Sequence, residues 1–270
     1  MRIFYRKLTR LTVIALLAGV ACAAETPAAM TAKELAAKLG ALQQDGSSYV
    51  RLTMDVAPPA GSPKIALQLQ IKQRRTATAT EAIYQVMWPK ARAGEAVLLR
   101  QTAGQAASGT WFTPPGTMHP LTAAQMKEPL FGSDLTFADV LDNFFAWQHQ
   151  SFGGTEVVDR VNCQILESKP GKDQRSNYGS VRTWVDLRRM VPMRIEKYLP
   201  SGALARRIAT TRVATDDRQR RIPADLTVSG ARTGSTTELS GSRINHGVSY
   251  ANGAFTIEGL KDLSPPRTTD

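Results

Sequence analysis

The period-two alternation of apolar and polar residues constrains this chain more than any other feature. Val50, Leu52, Met54 and Val56 alternate with Arg51, Thr53 and Asp55. Ile65, Leu67, Leu69 and Ile71 alternate with Ala66, Gln68 and Gln70, after a break at Pro58-Pro59-Ala60-Gly61-Ser62-Pro63. Successive side chains of a strand point to opposite faces, so each run predicts a strand with one apolar and one polar face. Residues 82–88 and 95–100 continue the series, residues 104–109 read as a turn, and residues 110–113 as a short strand. Further strands are expected over residues 161–167, 181–186, 192–199, 203–211, 224–230 and 236–245, with a tight turn at Pro200-Ser201-Gly202. Such a sheet has an apolar face that must be covered.

Two helices are expected as covers. In the first, over residues 30–44, Thr31 and Glu34 form a capping box, Leu35, Leu39 and Leu42 recur at helical spacing, and Gly46 ends the run. The second starts at about Thr136, with Asp139 in its first turn and an apolar stripe of Phe137, Val140, Leu141, Phe144 and Phe145. The fold class is therefore mainly β with α: a curved antiparallel sheet, or half-barrel, covered by helices. There is no internal repeat.

The N-terminus has a different character. Arg2, Arg6, Lys7 and Arg10 precede an apolar run from Leu11 to Val20, followed by Ala21-Cys22-Ala23-Ala24. A basic start, a short apolar core and small residues at the end form the pattern of a secretory signal. The run is about half of the roughly 20 residues a spanning helix needs. The expected organisation is a signal peptide at 1–24, a single domain at 25–263 and a flexible tail at 264–270. Cleavage after Ala23 or Ala24 is favoured over lipid anchoring at Cys22, because Gly19 stands where a lipoprotein signal has Leu, Val or Ile.

Cleavage after Ala23 removes four of the 34 basic residues and none of the 23 acids, so the net charge falls from +11 to +7. The basic residues are scattered, apart from Arg74-Arg75 and Arg218-Gln219-Arg220-Arg221. That spread, on an exported chain, argues for no nucleic acid and for a solvated surface or contact with anionic headgroups. Cys163 would be the sole remaining cysteine, so the core must supply the stability. Its apolar neighbours mark it as a buried strand residue.

No motif asks for catalysis. His119, His149 and His246 show no metal-ligand spacing, and no G-x-S-x-G, Walker loop, G-x-G-x-x-G after a strand or Cys-x-x-Cys occurs. The expectation is a non-enzyme with no catalytic residue, cofactor or metal. Asp216-Asp217 and Ser133-Asp134 read as loop and helix-entry capping pairs.

Four motifs, in order, resemble a known family. Gly132-Ser133-Asp134-Leu135-Thr136-Phe137-Ala138-Asp139 is similar to the G-S-D-[FL]-[ST]-[YF]-x-D signature of bacterial outer-membrane lipoprotein-sorting proteins of LolA-like fold. Thr183-Trp184-Val185-Asp186, then Pro192 to Tyr198 and Gly202, resemble its W-V-D strand and hairpin. Arg221-Ile222-Pro223-Ala224 and Thr237-Glu238-Leu239, then Phe255-Thr256 and Leu260, resemble its C-terminal pattern. The resemblance runs from about residue 30 to 263. It implies a half-barrel with a helical lid, whose concave apolar face holds the acyl chains of a lipoprotein or a free lipid in the periplasm of a Gram-negative cell.

On that reading Leu52, Met54, Leu67, Leu69, Met87, Trp111, Phe144 and Phe145 are the cavity and lid candidates. The resemblance implies a monomer that meets membranes transiently and works with an inner-membrane transporter. An alternative use of the fold is a periplasmic sensor or adaptor that binds an inner-membrane transporter or regulator. A hydrolase acting on lipid would need a nucleophile beside one of the histidines.

Overall fold

The computed structural model describes residues 30–267, apart from 44–45, 60–61, 77, 103 and 231–233. The signal segment at 1–24 lies outside the described residues. Helix α1 (Ala32–Gln43) forms as its capping box predicts: the Thr31 N–H donates to Glu34 Oε2 at 2.7 Å and the Glu34 N–H to Thr31 Oγ1 at 3.2 Å.

Thirteen strands then form one antiparallel sheet. They are β1 (Gly46–Ala57), β2 (Ile65–Arg75), β3 (Ala79–Trp88), β4 (Ala96–Thr102), β5 (Ser108–Thr113), β6 (Thr117–Pro120), β7 (His149–Val158), β8 (Val161–Lys169), β9 (Ser180–Asp186), β10 (Val191–Tyr198), β11 (Leu204–Thr215), β12 (Arg221–Gly230) and β13 (Thr236–His246). The order is β6-β5-β4-β3-β2-β1-β13-β12-β11-β10-β9-β8-β7. The chain thus starts at the middle and meanders out to one edge. It then crosses to the opposite edge and meanders back, until β13 pairs with β1. The register carries the alternation across the seam, with Met54 opposite both Leu67 and Leu239.

The crossing connection, residues 121–148, is called the strap below. It has to join the two edges of the sheet. At about 4.8 Å per strand a flat path would be about 60 Å long, so the concave side of a curved sheet is the shorter way. The strap accordingly lies on the apolar inner face. Met126, Leu130, Phe131, Phe137 and Leu141 pack there against Met54, Val56, Leu67, Leu69, Tyr84 and Val97.

Three features depart from the sequence reading. The second helix does not form: residues 137–141 are turns, flanked by three-residue 3-10 turns at Leu130–Gly132 and Phe144–Ala146. The expected capping contact is present, the Thr136 N–H donating to Asp139 Oδ2 at 2.8 Å. Yet Phe137 and Leu141 belong to the core over β1–β5, whereas Phe144 and Phe145 sit beside α1. One short helix cannot serve two separate sites, and tertiary packing overrides propensity.

Strands β6 and β7 were not anticipated either. β7 is exposed along almost its whole length and contains Gly153-Gly154, so it offers no alternation to read. Third, the polar face of β2–β4 is not solvated. Phe255 and Leu260 of the C-terminal segment pack on Ile83, Ala96, Leu98 and Phe112. The buried Gln70 and Gln85 side chains donate to the Leu263 and Leu260 carbonyls, each at 2.9 Å. Buried amides require such partners. Cys163 is buried on β8 among Trp184, Val191 and Met193, as its neighbours predicted.

Gly109 shows how tightly the strap enters. A Cβ there would meet Leu121 at 2.7 Å and Leu99 at 2.9 Å. Gly109→Val is expected to lower stability by about 1–3 kcal/mol through overpacking, measured as a shifted urea midpoint with unchanged slope.

Candidate functional site: a strapped apolar face

The strap reverses at Phe131 and Gly132, which have φ of 52° and 88°. The reversal drops the Phe131 ring onto the inner face, where it packs against Trp111 with centroids 5.1 Å apart. Phe137 meets the same indole edge-on at 5.6 Å. Glycine is required at 132, because its φ lies in the left-handed region and a Cβ would stand 2.8 Å from Ile65.

Three carboxylates hold the strap down. The Thr237 hydroxyl on β13 donates to Asp134 Oδ2 at 2.8 Å, and the Ser235 hydroxyl to Oδ1 at 2.5 Å. Asp139 is fully buried and accepts from Lys197 Nζ of β10 at 2.9 Å and from the Tyr178 hydroxyl at 2.7 Å. Arg206 of β11 pairs with its other oxygen. Asp142 adds a second carboxylate to Lys197 at 3.2 Å. The ammonium also lies 5.0 Å from the Tyr178 ring centroid and 5.7 Å from that of Phe144.

Burial pushes the Lys197 ammonium below its ordinary pKa, and the Asp142 carboxylate opposes that shift. Burial lowers the Arg206 guanidinium too, against the charge of Asp134. The Tyr178 phenol is held well above its usual range, by burial first and by Asp142 second. It therefore stays a neutral hydrogen-bond donor. Asn143 Oδ1, Thr183 Oγ1 and Arg206 Nε are buried without a hydrogen-bond partner among the described residues.

Sequence reasoning had Asp134 and Asp139 as helix-start residues and missed Lys197, Arg206 and Tyr178. A signal existed. Lys197 follows Ile195 by two residues and Arg206 precedes Ile208 by two, so both cations occupy inward places in the alternation. A cation at an apolar position demands a buried partner.

Of the eight cavity and lid candidates, Met54, Leu67 and Leu69 lie deep under the strap, at most 3% exposed. Leu52 and Trp111 pack at the margin of the same cluster. Phe144 and Phe145 are buried in the turn beside α1. Met87 lines an open groove of about 390 Å³ that Leu52 and Leu69 also line, together with Arg51, Thr53, Gln68 and Ser240. One stretch of the inner face is only half-covered: Leu52, Leu239, Leu226, Ile208 and Ile195, on one face of β1 and β13–β10, with Leu239 paired to Leu226 and Ile208 to Ile195.

Asp216, Asp217 and His246 also gather, with ligand atoms within 4.8 Å of one another. Arg220 already holds Asp216 at 2.9 Å, and its guanidinium faces His246 Nε2 at 3.1 Å. Arg220 thus already supplies a cation to this cluster.

A family model described as an uncharacterized protein matches residues 79–262, more than half of the chain. The chain belongs to that family. No curated protein matches the sequence. Solved structures are similar to this family member over most of its length. A DUF1329 family protein from Desulfovibrio piger has a TM-score of 0.77 at 18% identity, covering 85% of this chain and 97% of its own. A putative outer membrane lipoprotein-sorting protein domain from Vibrio parahaemolyticus scores 0.74 at 17% identity, with 86% and 98% covered. A LolA superfamily protein from Nitrosomonas europaea scores 0.68 at 19% identity, with 86% and 100% covered. The open, curved sheet is thus a LolA-like fold, as the sequence motifs implied.

Asp139→Ala would leave Lys197 and Arg206 in a buried site with one carboxylate fewer. It is expected to cost about 3–5 kcal/mol in urea unfolding, well above the roughly 1 kcal/mol of an exposed pair such as Arg74–Glu81 removed in parallel.

Proposed function

We propose that this protein is a periplasmic carrier of acyl chains, which it holds on the inner face of the sheet and takes towards the outer membrane. The observation that carries the reading is the strap. A large apolar sheet face is covered here by a connection with no α-helix or strand, only three-residue 3-10 turns, pinned at Asp134 and Asp139. Apart from the Leu121 N–H, which donates to the Gly109 carbonyl, the backbone-to-backbone hydrogen bonds of the strap join it to itself and not to the sheet, so it can lift without breaking the strand ladder. The strap's Phe131, Phe137 and Leu141 occupy the volume that acyl chains would take, so cargo would enter by replacing them. The half-covered row from Leu52 to Ile195 is where replacement would begin.

The energetics support a carrier. Each methylene exposed to water costs about 0.8 kcal/mol, so a long-chain lipid does not cross an aqueous space unaided. Much of the gain on binding would be offset by displacing strap side chains, which keeps binding reversible. The similarity to a putative lipoprotein-sorting domain points to a lipoprotein as well as a free lipid. On this proposal the chain is exported by residues 1–24, acts as a monomer without catalysis, and exchanges cargo with an inner-membrane transporter. No helix of the described residues is long and apolar enough to cross a membrane. An adaptor role has one observation in its favour: β7 ends the sheet with an unpaired edge that carries the exposed Phe152 and Val157.

Native mass spectrometry of protein isolated from the periplasm is expected to show bound lipid or lipopeptide. A fluorescent long-chain acyl probe should bind in vitro. Ile208→Asp/Leu226→Asp should weaken probe binding at least tenfold, a loss of about 1.4 kcal/mol or more. Phe131→Ala, which vacates part of the face, should strengthen it. A protein that carries no lipid and ignores the probe in all three forms is not a carrier.

A further inference from the structure

The strapped face does not account for one end of the sheet. The β7–β8 turn (Asp159, Arg160), the β9–β10 turn (187–190) and the β11–β12 turn (216–220) all lie at that end, since each joins antiparallel neighbours. Alternate hairpins of one sheet stand about 10 Å apart. The first two enclose an open groove of about 460 Å³, lined by Arg160 and Arg188 with Asn162, Gln164, Asp186 and Leu187. Around it Val157 is 65% and Leu187 41% exposed.

The charges at this end are unevenly committed. Asp186 binds Arg189, Asp216 binds Arg220 at 2.9 Å, and Asp217 binds His246 at 2.5 Å. No ion pair engages Arg160 or Arg188 among the described residues, and both are exposed. Asp159 is the acid left beside them. It and Arg160 both have positive φ, 46° and 63°, the paired left-handed geometry of a two-residue hairpin that glycine or asparagine usually fills. Arginine at that position sits at the very tip. Two guanidinium groups facing one groove, with apolar side chains projecting beside them, match a surface of phosphate headgroups over hydrocarbon.

We infer that this end of the sheet docks on an anionic phospholipid surface, one lipid phosphate lying between Arg160 and Arg188 while Leu187 and Val157 enter the headgroup layer. The inference builds on the carrier reading, in which the protein must meet membranes, but uses none of the acyl-binding face.

The test is co-sedimentation of the mature protein with vesicles of phosphatidylcholine alone and of phosphatidylcholine with phosphatidylglycerol in equal parts. Binding is expected to the mixed vesicles only, and to weaken as salt rises. At about 1 kcal/mol per arginine, Arg160→Gln/Arg188→Gln should weaken it roughly 25-fold. Leu187→Ser should weaken it several-fold. Arg92→Gln, in the β3–β4 turn at the other end and paired with Glu95, should leave it unchanged. Thermal melts establish that each variant is folded.

Equal binding to both vesicle types, or wild-type binding by the double variant, overturns the inference. So does binding that requires membrane protein in the vesicles, which would assign the groove to a protein partner. Calorimetric binding of inorganic phosphate without vesicle binding would also overturn it and leave a free-anion site. The acyl probe is run on the same samples. If it fails while vesicle binding persists, the carrier reading falls and the docking surface stands. If vesicle binding fails while the probe binds, the reverse holds.

Discussion

The buried contact of Asp139 with Lys197 and Arg206 is the interaction on which the arrangement of this molecule depends. It joins the middle of a long connection to two adjacent strands of the opposite half of the sheet. Without it, Lys197 would be a cation beneath aromatic rings with Asp142 as its remaining carboxylate. With it, the strap has one position on the inner face, and Phe131 and Phe137 reach Trp111. Buried ion pairs seldom add much net stability over apolar packing of the same volume. Their effect here is to decide where the strap lies.

That choice matters because the face under the strap is apolar over many strands. Packed helices would cover it permanently. An irregular strap, anchored by carboxylates and filled with aromatic side chains, covers it with an element that, on the carrier proposal, gives way to cargo. The orphaned Arg206 Nε and Thr183 Oγ1 on the same face fit a surface that is not optimised for the covered state alone. On the outer face the Gln70 and Gln85 amides are matched by backbone carbonyls of the C-terminal segment, and that cover is closely satisfied.

Much of this was legible beforehand. The alternation predicted β1 to β5 and β8 to β13 within a few residues, because each strand records in its own sequence which side chains face inwards. The capping box at Thr31 and Glu34 marked α1 for a similarly local reason. The strap defeated the same logic. Thr136, Asp139 and the Phe137–Phe145 stripe satisfy the local rules for a helix, but Phe137 and Leu141 pack over β1–β5 while Phe144 and Phe145 pack beside α1, and the chain turns to supply both. β7 was invisible for the opposite reason, having no buried face to leave a pattern.

The sequence by itself therefore determined that the chain builds an antiparallel sheet with one largely apolar face, headed by a capped helix. These depend on contacts between residues close along the chain, or on periodicity within a single strand. Only the tertiary structure decided what covers each face: the strap inside, the C-terminal segment outside, and the pairing of Asp139 with cations 58 and 67 residues further on. Such choices are set by the geometry of crossing a curved sheet and by the need of buried charges for partners. Neither leaves a local period that a sequence can display.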